Sequence, residues 1–107
     1  MKIVFDEFFY RSYSSDPASA PGRIEAIVDD LPSHAEMVKP ESAQEEQIRL
    51  AHSDAHIQVI RNEGLYDFAA LAAGGAIKAA RIALKEPAFG LIRPPGHHAS
   101  ADSAWGF

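Results

Sequence analysis

Ala88-Phe89-Gly90-Leu91-Ile92-Arg93-Pro94-Pro95-Gly96-His97-His98-Ala99 is the stretch that decides how this 107-residue chain folds. Its first five residues form a short apolar run, of the kind that makes a strand buried on both faces of a parallel sheet. Pro94-Pro95-Gly96 then stops the strand and stiffens the chain. Two adjacent histidines follow. Loops beyond the carboxyl ends of parallel strands are where α/β sheets place their chemistry, and His97 and His98 fall there. Only nine residues follow His98, so a site built on the pair is expected to be incomplete within this stretch.

The pattern upstream supplies the rest of the sheet and its helices. A long alanine-rich helix is predicted from about Phe68 to Lys85, with Asp67 as its N-cap and Pro87 closing it. Gly74-Gly75 in its interior costs about 1 kcal/mol per glycine relative to alanine, and close approach of another backbone would offset that. Before it, Ser53 with Asp54 starts a helix carrying Ile57, Val59 and Ile60, with Gly64 as its stop. Ser42-Ala43-Gln44-Glu45 spells a capping box and predicts a helix from Ala43 to about Ala51. Lys2 to Phe5 is a β-branched and aromatic run and a first strand. Arg11 to Ala20 is a loop. Pro21 opens a helix with Ile24, Ile27, Val28 and Leu31 on one face, ended by Pro32. Ala35 to Val38 is a second short strand. Strand, helix, strand, helices, strand is an α/β order with a parallel sheet.

Composition sets the limits. Apolar residues are 47% and charged residues 23% of the chain, which suits one globular domain spanning residues 1–107. The net charge of −5 disfavours a nucleic-acid partner. No apolar run is long enough to span a membrane. With no cysteine there is neither a disulfide nor a thiolate metal site. Asp6 comes too early for a signal peptide, so the cytoplasm is expected.

The histidines carry the chemistry. Imidazole titrates near neutral pH and serves as a general base with little tuning. Two in tandem divide the work, one taking a proton from water and one holding or donating a proton. Each then needs a carboxylate behind it. His52 and His56 lie four apart on a predicted helix and read as a helix-packing pair. The sequence lacks the glutamate of His-Glu-x-x-His, and no metal is assigned to them. Asp54-Ala55-His56 is not assigned as a metal site either. Glu41, Glu45 and Glu46 read as a solvated helix start, and His34 and Asp102 as solvated groups, Asp102 in a flexible loop. Trp105 and Phe107 read as core anchors. Tyr10 and Tyr13 could line a pocket mouth, and packing under their loop fits them equally.

Ile92-Arg93-Pro94-Pro95-Gly96-His97-His98-Ala99, with Trp105-Gly106-Phe107 after it, resembles the signature of the histone deacetylase superfamily, including its acetoin-utilisation and acetylpolyamine amidohydrolase members. Pro21-Gly22-Arg23-Ile24, Leu50-Ala51-His52 with His56-Ile57, and Leu71-Ala72-Ala73-Gly74-Gly75-Ala76 resemble earlier segments of that family in the same order. The resemblance implies a partial open parallel sheet flanked by helices, the N-terminal portion of a deacetylase-type, arginase-like α/β fold. It implies zinc-assisted hydrolysis of an acetylated amine, either acetyl-lysine or an acetylpolyamine. His98 would be the general base and His97 its companion imidazole. Gly96 would permit close approach of the substrate, Arg23 would line a cavity under the site, and Tyr13 would sit on the substrate-channel loop.

The departures bear on activity. In the family, the Asp-x-His pair and further aspartate that hold zinc, the histidine-orienting aspartates and the transition-state tyrosine all lie downstream of the Gly-Phe segment that this stretch reaches at Gly106-Phe107, and none falls within residues 1–107. Gly64 to Ala69 is shorter than the rim loop of larger members, and Ala20-Pro21 stands where His-Pro is usual. The resemblance therefore implies a chain inactive alone, without zinc of its own. The alternatives are a non-catalytic remnant acting as a homo-oligomer or interaction module, and one half of a pair completed by a metal-bearing C-terminal half.

Overall fold

The computed structural model describes residues 1–107. Three short parallel strands form the sheet: β1 (Lys2–Val4), β2 (Glu36–Val38) and β3 (Ala88–Gly90), in the order β2-β1-β3. Ile3 is level with Met37 on one side and Phe89 on the other. The helices are α1 (Arg23–Asp29), α2 (Glu45–Arg49), α3 (Asp54–Asn62) and α4 (Tyr66–Ala83). Two 3-10 turns, Glu7–Tyr10 and Pro17–Ser19, shape the segment between β1 and α1. None of the helices is long and apolar enough to cross a membrane.

The α/β order and parallel sheet are as expected. Ile3, Phe5, Phe9, Ile24, Ala72 and Leu91 form the central cluster. Phe9 and Ile3 are completely buried, and the Phe5 ring leans on the rings of Phe9 and Tyr10. Burying side chains of this size stabilises the fold by about 1.5–3 kcal/mol each.

The α4 glycines allow the close approach expected of them. A Cβ on Gly74 would enter the van der Waals shell of the Glu41 carbonyl, and one on Gly75 would lie 2.6 Å from Ile92 Cγ2. One glycine admits the extended segment after β2, the other the chain leaving β3.

Ser53 and Gly64 bound α3 as the sequence indicates. The Ser53 side chain accepts from His56 N. Gly64 has φ 73°, Leu65 N donates to the Ile60 carbonyl and Gly64 N to the Arg61 carbonyl. That is a Schellman closure.

Other boundaries move. The capping box is built by Gln44 and Gln47, so α2 starts at Glu45 rather than Ala43. The cause is tertiary: Ala43 N donates to the Ala70 carbonyl of α4 at 2.9 Å and is held outside the helix. Because Ser53 caps α3 and the helix starts at Asp54, His52 precedes it and shares no helix with His56. Helix α1 starts at Arg23 after Gly22, whose φ is 81°, and Pro21 stays outside it. Helix α4 begins at Tyr66, with Asp67 inside its first turn, because the Gly64 turn leads straight into it. The third strand ends at Gly90, and Phe89 is 51% exposed, not buried on both faces. As an edge strand, β3 has a neighbour on one side only.

Candidate functional site

Leaving β3, Leu91 N donates to the Val4 carbonyl, and Arg93 and Pro94 are buried. The Arg93–Pro94 peptide is cis. Gly96 has φ 66°, a left-handed conformation that glycine tolerates best, and Ala99 N closes a turn onto its carbonyl. This turn presents His97, exposed, and His98, half-buried. Their ring centroids are 3.9 Å apart. The Trp105 indole stacks on the His98 ring, with centroids 3.5 Å apart and the planes tilted only 16°. Gly106, with φ 77°, passes so close that a Cβ there would lie 3.2 Å from His98 Cδ2.

Trp105 is thus no core anchor. It is 67% exposed and its contact is the imidazole. The segment from Ser100 to Ser103 makes hydrogen bonds to its neighbours. Ser100 N donates to the Ser103 carbonyl, Ser53 N to the Ala101 carbonyl, and His52 Nδ1 lies 2.8 Å from the Ser100 carbonyl. The histidine loop is therefore fastened to the start of α3. His52 and His56 face each other at 5.2 Å, His56 buried.

Arg93 is the residue that sequence reasoning missed. Its side chain is almost fully buried, and its guanidinium donates to five carbonyls: Phe9, Tyr10, Arg11, Ala18 and Ala20. The five N–H donors of a guanidinium suit such a cradle, and a lysine ammonium does not. The available signal was an arginine between Ile92 and Pro94 at the end of a buried strand, with no acid nearby in sequence. Such a charge must be met by backbone carbonyls. Ser19 completes the loop. Fully buried, it accepts from Tyr13 N and Ser14 N, and its carbonyl takes the Ser12 hydroxyl.

Tyr13 lies on this loop, half-buried against the Phe68 ring, with the Arg93 guanidinium 5.8 Å from its ring. Its hydroxyl is buried without a hydrogen-bond partner. Burial pushes the phenol pKa up, and the charges of Arg93 and Arg23 partly oppose this. Arg23 itself is exposed at the start of α1.

Gly96 opens on a cleft of about 310 Å³ between α2, α3, α4 and the histidine loop. Its lining is mostly alanine and isoleucine, with His52, His56 and Phe107. His97 and His98 stand outside it.

None of the five ion pairs involves a histidine, so neither imidazole of the pair has a carboxylate behind it. No group of three or more His, Cys, Asp or Glu side chains is arranged to hold a metal ion. The chain thus presents two adjacent imidazoles on a hydrogen-bonded loop, with Gly96 at the edge of an apolar cleft beside them.

The histone deacetylase domain model matches residues 59–107, which hold α4, β3 and the histidine loop. A probable deacetylase of Archaeoglobus fulgidus is 35% identical over 89 residues, covering 66% of this chain and 25% of the relative. A probable deacetylase of Methanothermobacter thermautotrophicus is 34% identical over 106 residues, covering 80% of this chain and 32% of the relative. The chain therefore spans a quarter to a third of the length of these relatives. The crystal structure of the HDA15 HD domain superposes on the whole chain with a TM-score of 0.79 at 23% identity, using 40% of that domain. That match establishes the shared fold.

Proposed function

The chain belongs to the histone deacetylase superfamily, and from that premise we propose that it carries the histidine-bearing part of an amidohydrolase site for acetylated amines, acetyl-lysine or an acetylpolyamine. The observation that carries this reading is the His97–His98 pair, mounted at the carboxyl end of β3 on a loop fastened at both ends. In it, His98 takes the proton of the attacking water, and His97 steadies the oxygen that becomes negative. Gly96 leaves room for the acyl group at the mouth of the cleft. Tyr13 belongs to the loop that would border the substrate channel, and Arg23 would line the cavity beneath the site.

Zinc, in the family reaction, polarises the acyl carbonyl and activates water. The residues present do not fit a zinc centre: no three ligating side chains converge. Residues 1–107 by themselves are expected not to turn over an acetylated amine. The test is acetate release from an acetyl-lysine peptide and from an acetylpolyamine, with zinc present. Expected is no release by the chain alone. Release is expected when a second polypeptide carrying the Asp-x-His metal half is added, and its loss with His98→Gln. Turnover by the chain alone, or full activity of the His98→Gln variant in the pair, would overturn the reading.

A second reading, an oligomeric or interaction module, is favoured by one observation. The β3 edge carries the half-exposed Phe89, and Leu84 just before it is 85% exposed. Unpaired strand edges with apolar side chains invite pairing.

A further inference from the structure

We propose that the loop from Phe9 to Ala20 is a brace that sets the orientation of His98, with Arg93 as its anchor and Ser14 and Trp105 as the links. The functional weight of this inference rests on the reading of His98 as the base, but its geometry stands apart from that reading.

The path is continuous. Arg93 leaves β3 and grips the loop through five carbonyls, Phe9 at one end and Ala20 at the other. Inside the loop, Ser19 holds Tyr13 N and Ser14 N with its hydroxyl at 2.8 and 3.2 Å. That places the Ser14 hydroxyl, which donates to the Phe107 carbonyl at 2.7 Å. Two residues before Phe107, the Trp105 indole lies flat on His98. Trp105 is largely exposed, so packing does not hold it in place. The Ser14 bond ties its segment back to the body of the molecule. Gly106 lets the backbone fold tightly against the imidazole edge. Arg93, Ser14 and Trp105 are positioning residues: Trp105 acts on His98 by direct stacking, and Arg93 and Ser14 act through it.

The stack also has a chemical consequence. The face of an indole is the best aromatic partner for a cation. The positive charge that His98 gains on protonation would be stabilised by the Trp105 face, provided that the brace holds the two rings parallel.

Trp105 is the only tryptophan in the chain, so its fluorescence reports this contact directly. A protonated imidazole stacked on indole quenches its emission, and a neutral one does so much less. In the wild-type chain, emission is expected to fall as the pH is lowered and His98 gains its proton. His98→Gln is expected to abolish that fall. The other titratable group in ring contact with His98 is His97, so His97→Gln serves as the control and is expected to leave the fall in place. Arg93→Lys and Ser14→Ala, with helix content checked by circular dichroism, are both expected to lose the fall as His98→Gln does. If Arg93→Lys does not fold, Ser14→Ala decides. An undiminished fall in Ser14→Ala, or in folded Arg93→Lys, would overturn the brace. The readout needs neither metal nor turnover, so an inactive chain leaves it unaffected.

Discussion

At the scale of single residues, Arg93 shows how one side chain can define a loop. A buried cation without a carboxylate is stable only where carbonyl dipoles surround it, and five do. Arg93→Met would strand them. We expect a loss on the order of 3 kcal/mol, measured as a lower urea midpoint at unchanged slope. Tyr13 makes a prediction in pH. Burial raises its phenol above the ordinary value of 10.0, so below that pH both folded and unfolded chains hold it neutral and its contribution is constant. As pH rises past 10.0 the unfolded phenol ionises first, and stability falls until the folded pKa is passed. Urea midpoints measured between pH 9 and pH 11 should decline, and Tyr13→Phe should soften the decline. Of these features, the histidine pair and Gly96 were legible in the sequence, because Pro-Pro-Gly-His-His is a contiguous word. The Arg93 cradle was not, since its acceptors lie 73 to 84 residues away.

At the scale of elements, local signals and long-range contacts divide the credit. The α3 helix follows its sequence closely because Ser53 and Gly64 act on neighbouring backbone groups. Ser53→Ala should cost about 1 kcal/mol, and Gly64→Ala about 1–2 kcal/mol for its left-handed φ. Both are checked by thermal unfolding. Helix α2 departs from its sequence reading because Ala70 of α4 claims the Ala43 N–H. Ion pairs bridge α2 and α3: Glu45 pairs with Arg61 and Arg49 with Asp54, while Glu45 also pairs with Arg49 inside α2. The Arg61 guanidinium covers the Tyr66 ring at 3.8 Å and extends the link to α4. Gly74 is the sharpest point of the element scale. Gly74→Ala improves intrinsic helix propensity, yet the new methyl would collide with the Glu41 carbonyl. The collision should win, destabilising the fold by roughly 1–3 kcal/mol. A higher melting temperature in that variant would show that the segment after β2 can yield.

At the scale of the whole molecule, a three-stranded sheet with β3 at its edge leaves one apolar face partly open. If this edge pairs with a second copy, as the second reading proposes, Phe89→Lys should keep the helix content of the chain while lowering self-association, measured by sedimentation. Unchanged association would move the contact away from this edge. The sequence alone determined the α/β order, the parallel sheet, the bounds of α3 and the position of His97 and His98 at a strand end. Each follows from propensity, turn chemistry or periodicity acting over a few residues. Tertiary structure alone decided that Trp105 stacks on His98, that Phe89 is half exposed, that α2 starts late and that Arg93 anchors a distant loop. Those outcomes depend on which groups remain free once the sheet has closed, and hydrogen-bond satisfaction across the fold settles that only when distant segments meet.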